Sequence, residues 1–171
     1  MPDTALSATV TTPIGPFTAV VDTDGAVLAS GWTADLGALL PVIHASLRPR
    51  TVEPRTELGA VTAAVTAFHA GDPAAIDDVP VRQRSGGFVE HAWDVLRTVE
   101  PGRPLTYTQY AALSGRPAAV RAAAMACARN AAALFVPCHR ILRTDGSLGG
   151  FRWGLDVKEW LLAHEAHTIA A

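Results

Sequence analysis

Between residues 71 and 87 the chain carries Gly71, Pro73, the pair Asp77-Asp78, Pro80 and Gly86-Gly87. Proline removes a backbone donor and fixes φ, and glycine disfavours regular elements, so no long helix or strand crosses this stretch. The fold must therefore be assembled from two regions, and we expect an amino-terminal α/β domain over 1–80 and a carboxy-terminal domain over 84–171. The two regions are patterned differently. Apolar and Thr-rich runs at Leu6–Thr11, Phe17–Val21 and Val27–Trp32 are separated by the turn sequences Thr12-Pro13-Ile14-Gly15 and Asp22-Thr23-Asp24-Gly25, which predicts three strands. Helices are predicted over Ala34–Ser46, which Pro41 interrupts or kinks, and over Glu57–Ala70, where Leu58, Val61, Val65 and Phe68 share one face.

Beyond residue 87 the period is helical. Phe88–Thr98, Tyr107–Leu113, Ala118–Arg129 and Val157–Ala166 read as helices, the last with Val157, Trp160, Leu161 and His164 on its apolar side. Ser114-Gly115-Arg116-Pro117 between the second and third of these gives a helix-turn-helix pattern. The fold class expected is α/β (α+β): a small sheet with helices, then a mostly helical domain with a short wing around Asp145-Gly146.

The formal net charge of −2 conceals a strong segregation. Residues 1–96 hold 5 basic and 11 acidic side chains, and residues 97–158 hold 9 basic and 3 acidic. A segment this basic within an acidic chain is a candidate phosphate-facing surface, although a solvated face reads the same way on charge alone. No apolar run reaches membrane-spanning length, and the first fifteen residues lack the basic start and apolar core of a signal peptide. A cytoplasmic location with reduced thiols is expected for Cys127 and Cys138. No cysteine precedes position 127, so a structural zinc site in the first half is not expected.

Val136-Pro137-Cys138-His139-Arg140-Ile141 concentrates the chemistry. A thiol is a strong nucleophile only as thiolate, a neighbouring histidine can take its proton, and a carboxylate can orient that histidine. Glu165 lies 27 residues further on, in the last predicted helix. A lone Cys-His pair is also compatible with a buried structural cysteine beside a surface histidine; Cys127, which has no such neighbours in its Ala-rich helix, reads as a packing residue.

Pro-Cys-His-Arg followed by an aliphatic residue resembles the active-site motif of the O6-alkylguanine-DNA alkyltransferases. Asn130, eight residues before Cys138, matches that family's hinge asparagine, and Arg121, seventeen before, matches its arginine finger. Tyr107 matches the tyrosine that opens the helix-turn-helix, and Glu165 the glutamate of the family's Cys–water–His–Glu network. The resemblance covers residues 84–166 well, and Thr12-Pro13-Ile14-Gly15-Pro16 resembles a turn of the family's first domain.

The resemblance implies a ribonuclease H-like first domain and DNA repair by irreversible, once-only transfer of an alkyl group from O6-alkylguanine to Cys138 after base flipping. It implies Cys138, His139, Glu165 and Asn130 as the catalytic set. It places Tyr107, Phe151, Arg152 and Trp153 around the substrate, and Arg121, Thr106 and Arg140 on the DNA. The partner implied is double-stranded DNA carrying the lesion, bound by a monomer, with no membrane and with neither a metal nor an organic cofactor. The chain departs from the pattern at Ala131, where proline is common, at Phe151, where tyrosine is common, and at Arg152-Trp153, where small residues are frequent. An inward-turned Trp153 would narrow the pocket toward methyl over benzyl adducts. The alternative function is a lesion-binding protein that flips the base without transferring anything. The presence of Cys138 distinguishes this chain from relatives of that kind.

Overall fold

The computed structural model of the chain describes residues 3–170. These form two compact units: residues 3–84 with 131–135, and residues 85–130 with 136–170. The division is not a single cut, because Ala131–Phe135 returns to the first unit. A reading of the sequence as consecutive domains has no counterpart of that return.

In the first unit, strands β1 (Thr4–Thr12), β2 (Gly15–Val21), β3 (Val27–Gly31) and β4 (Thr51–Pro54) form one mixed sheet in the order β3-β2-β1-β4. β1 is antiparallel to β2 and parallel to β4, and β2 is antiparallel to β3. The two predicted turns fall where expected. Thr12 donates its hydroxyl to the Gly15 carbonyl at 2.6 Å, and Asp22 accepts the amides of Asp24 and Ala26. Gly25 has φ of 85°, a conformation that side chains strain to reach.

From Phe17 to Val21 every residue is buried, as is all of β3, so these strands lack the alternation of a one-sided sheet. Two segments cover the outer edge of β3. Val27 pairs with Val81, and Ser30 pairs with Ala132, with Ser30 Oγ donating to the Ala133 carbonyl at 2.7 Å. Helix α2 (Ala60–His69) buries Val61, Val65 and Phe68. Phe17 stands edge-on to Trp32 and to Phe135, with ring centroids 5.0 and 6.2 Å away. Trp32 Nε1 donates to His69 Nε2, so His69 presents its hydrogen from Nδ1 to the Val65 carbonyl.

The predicted helix over Ala34–Ser46 is reduced to α1 (Leu36–Leu39), capped by Asp35, followed by a 3-10 turn over Leu40–Val42. Pro41 has no amide hydrogen to continue the α ladder, so it breaks the helix rather than kinking it. β4 was not expected; it is short, exposed and held by parallel pairing to distant β1.

The second unit contains α3 (Gly87–Leu96), α4 (Tyr107–Leu113), α5 (Val120–Arg129) and α6 (Leu155–Ala170). Thr106 starts α4 with a full capping box: its hydroxyl accepts the Gln109 amide while the Gln109 side chain accepts the Thr106 amide. Gly115, at φ of 89°, turns the chain toward α5. Two side chains join this helix-turn-helix to α3. Tyr110 donates its hydroxyl to the Ala92 carbonyl at 2.5 Å, and Trp93 Nε1 donates to the Ala126 carbonyl at 2.8 Å. Strands β5 (Leu105–Thr106) and β6 (Ile141–Leu142) pair in parallel, Leu105 with Ile141 and Thr106 with Leu142. No helix among the described residues is long and apolar enough to cross a membrane.

Candidate active site

Pairing of β5 with β6 locates the centre of the second unit. Tyr107 follows β5 directly, and Cys138 lies three residues before β6, so one short ladder sets both. Cys138–Arg140 is a single 3-10 turn after Pro137, closed by the Arg140 amide donating to the Pro137 carbonyl at 3.0 Å. Cys138 is 9% exposed and His139 fully buried.

Burial pushes the Cys138 thiol above its ordinary range, against the pull of a hydrogen bond from Asn130 and the charges of Lys158 and Arg152. At rest the group is a thiol that requires a base. Asn130, at the end of α5, also donates Nδ2 to the Val136 carbonyl at 2.8 Å, so its carboxamide ties the helix end to the turn carrying the thiol.

His139 Nε2 is hydrogen-bonded to Glu165 Oε1. The carboxylate only accepts, which puts the ring hydrogen on Nε2 and leaves Nδ1 as the basic nitrogen. Burial lowers the proton affinity of His139, Glu165 raises it, and Arg140 and Lys158 lower it again; the net direction is down. For Glu165 burial acts upward, but His139 and Arg140 outweigh it and hold the carboxyl below its usual range. The site thus contains an ionised carboxylate, a neutral imidazole and a thiol, an arrangement suited to moving a proton from sulfur to nitrogen.

Tyr107 is half-buried and its hydroxyl is pushed up to about 12, by burial first and then by charge at Cys127 and Cys138. It remains a donor throughout the neutral range. Phe151 and Trp153 are half-buried in the turn that Gly154 closes onto the Phe151 carbonyl.

The structure relocates one of the residues singled out in the sequence and gives intramolecular partners to two more. Arg140, expected on the DNA, is only 2% exposed. Its Nε donates to Glu165 Oε2 at 2.8 Å and its Nη1 to the Val99 carbonyl at 2.7 Å, so no part of it reaches a phosphate. Arg152, expected at the substrate, directs Nη1 to the Asn130 carbonyl at 3.1 Å and Nη2 to the Ala128 carbonyl at 2.5 Å. There it satisfies the open carbonyls at the end of α5. The Thr106 hydroxyl is engaged as the α4 cap. Arg121 stands exposed in the first turn of α5.

One functional-site residue escaped the sequence reading altogether. Lys158 is 1% exposed and donates Nζ to the Ile141 carbonyl at 2.7 Å, in the residue that opens β6. Lys158, Leu161 and Glu165 are the buried side of α6; of the predicted Val157, Trp160, Leu161 and His164 only Leu161 belongs to it. Trp160 and His164 instead stack on each other, centroids 4.4 Å apart. The signal was the i, i+3, i+7 spacing of Lys158, Leu161 and Glu165, which a search for apolar periodicity passes over.

With this geometry in view, two likenesses decide the family. The family model described as "6-O-methylguanine DNA methyltransferase, DNA binding domain" matches residues 87–167. The methylated-DNA–protein-cysteine methyltransferase of Shigella flexneri is 30% identical over 166 residues, covering 96% of this chain and 97% of that protein. The chain belongs to the methylated-DNA–protein-cysteine methyltransferase family. Within the family, the bifunctional transcriptional activator/DNA repair enzyme Ada of Escherichia coli K12 is 46% identical over 90 residues. Those residues are 53% of this chain and 25% of Ada, so the chain spans about a quarter of Ada's length. In fold, the crystal structure of Mycobacterium tuberculosis OGT in complex with DNA superposes with a TM-score of 0.77 at 24% identity, over 95% of this chain and 94% of that one. That agreement establishes the α/β class expected from the sequence, with a mixed four-stranded sheet followed by a helical region.

Proposed function

We propose that this protein repairs O6-alkylguanine in double-stranded DNA by moving the alkyl group onto Cys138, once per molecule. The observation that carries the reading is the hydrogen-bonded series Arg140–Glu165–His139 beside a buried thiol held by Asn130. His139 receives the thiol proton, and Glu165 stabilises the imidazolium that forms. Sulfur then attacks the alkyl carbon, the S–C bond forms as the C–O6 bond breaks, and guanine departs with the bonding electrons. Tyr107 donates to the leaving base as charge develops on it. The thioether has no route back to the thiol, so the protein is consumed.

The base must leave the duplex to meet a thiol this deeply buried. Residues 101–144 contain six arginines and no Asp or Glu, and all but Arg140 are exposed. This is a surface for backbone phosphates. Arg121, exposed in the first turn of α5, is the side chain we assign to the space that the flipped base vacates, and the alanines of that helix would allow close approach.

Incubation with one equivalent of O6-methylguanine duplex, followed by peptide mass mapping, tests the assignment. One methyl on the Cys138 peptide is expected, with Cys127 unmodified and Cys138→Ser binding without transfer. Multiple turnovers, or methyl only on Cys127, would overturn it. Lesion binding by the wild type with no transfer would instead identify a base-flipping recognition protein.

A further inference from the structure

We infer that Arg140 is a positioning residue for the transfer reaction: it locks the Glu165 carboxylate in the orientation that presents Oε1 to His139, and so decides which imidazole nitrogen takes the thiol proton. The inference rests on the proposed function above for the identity of the reaction, and on contacts within the second unit for everything else.

A glutamate side chain has three rotatable bonds, and the last, which turns the carboxylate, has a broad and shallow preference. Burial on α6 restricts where the group sits without fixing how it faces. Arg140 supplies the missing constraint. Its Nε is 2.8 Å from Oε2 and 3.2 Å from Oε1, so both oxygens face the guanidinium edge. The other side of the guanidinium is anchored, through Nη1, to the Val99 carbonyl beyond the end of α3. The planar fork is therefore held at both ends by groups that only accept, and rotating the carboxylate would break at least one bond. A lysine ammonium could neutralise Glu165 but could not span these acceptors in a fixed plane.

His139 and Arg140 are consecutive in a 3-10 turn, where neighbouring side chains point about a third of a turn apart. That they converge on one carboxylate requires Glu165 to lie across the opening between them. The charges around the ring complete the case. Glu165 and Lys158 face His139 from α6, and Arg140 and Cys138 flank it on its own turn. Glu165 alone would favour an imidazolium, a form unable to accept a proton. Burial is the main force against that form, and Arg140 adds to it while leaving the hydrogen bond to Nε2 intact.

The test uses the full chain with Arg140→Lys and Arg140→Gln, and two readouts. Nitrogen-15 NMR of His139 reports tautomer and protonation without DNA; single-turnover transfer is followed as a function of pH. The wild type should show hydrogen on Nε2, and a resting Nδ1–H tautomer would overturn the inference even if neither variant folds. In Arg140→Lys, which keeps the charge, we expect mixed tautomers with little displacement of the acid limb of the rate profile. Arg140→Gln, which removes the charge that opposes the imidazolium, should move that limb to higher pH by about one unit, a tenfold change in proton affinity. Loss of stability with an unchanged tautomer and an unchanged acid limb would reduce Arg140 to a structural strut. A wild type that transfers nothing would remove the proposed function, and the NMR readout separates that failure from this one.

Discussion

Ser30, Thr18 and Thr62 are buried in the sheet unit, whereas Arg140, Lys158 and Glu165 are buried in the helical one. In the first case the groups are neutral, and each is answered by a neighbour such as a carbonyl or hydroxyl: Ser30 by Ala133, Thr18 by Thr33, Thr62 by Gly59. The one buried carboxylate among the described residues there, Asp22, lies at a turn and meets the half-exposed Arg82. In the second case Arg140 and Glu165 are paired with each other and, through Glu165, with His139, so removing either leaves a buried charge without its counter-charge, while Lys158 is answered by the Ile141 carbonyl. Isolated neutral bonds fasten loops to a scaffold. A connected charged set is costly to bury, and this one stands beside the Cys138 thiol, where the proposed reaction moves a proton.

That contrast is easiest to break at its most charged point. Glu165→Gln should destabilise the helical unit by about 3–5 kcal/mol, the usual consequence of removing one partner from a buried ion pair. Leu39→Ala in the sheet unit should cost roughly 3 kcal/mol through the cavity it leaves. Their pH dependence separates them. The folded carboxyl of Glu165 lies below its unfolded value, so its contribution is fully present above the ordinary glutamate range and is lost as pH falls through the folded value. The Glu165→Gln difference should therefore shrink in acid while the Leu39→Ala difference persists. Amide hydrogen exchange followed in each unit between neutral and acid pH would show this, and parallel behaviour would erase the distinction.

A smaller effect is expected from an exposed charge. Arg121→Ala should leave both units as stable as the wild type yet slow transfer on duplex DNA by about thirtyfold, because only the duplex requires a few kcal/mol of unstacking. Reaction with the free modified base should be unchanged. Equal losses on both substrates would assign Arg121 to the fold.

The smallest effect sharpens the account of the thiol. Asn130→Ala removes a hydrogen bond that favours the thiolate, so transfer at neutral pH should fall about tenfold, the scale of one bond to a charged group. Raising the pH should recover the rate, since the missing bond only makes deprotonation harder. A deficit that persists at alkaline pH would mean that Asn130 shapes the turn instead.

Local chemistry was legible in the sequence. Tyr107–Leu113 has the same ends in sequence and structure because the Thr106–Gln109 box and Gly115 are short-range signals. The three long strands followed from their turns. β4, β5 and β6 were not legible, because two to four residues carry no period and their pairing partners are distant in the chain. In the candidate site, Cys138, His139, Glu165 and Asn130 could be picked out, whereas Arg140 was assigned to the surface and Lys158 was overlooked. Charged side chains are placed outside by default, and only the partners supplied by folding, the Val99 and Ile141 carbonyls among them, reveal that these two are inside.

The return of Ala131–Phe135 to the sheet unit bears on how the chain is made. Translation delivers β1 to β3 early, but the strand-like segment that covers Ser30 leaves the ribosome only after α3, α4 and α5 have been synthesised. Until then β3 presents unpaired backbone groups and an unpartnered hydroxyl at Ser30, an open edge of the kind that recruits other chains. A nascent polypeptide arrested before residue 131 carries a sheet with that position uncovered, and completion of the first unit is timed to the emergence of the last few residues before Cys138.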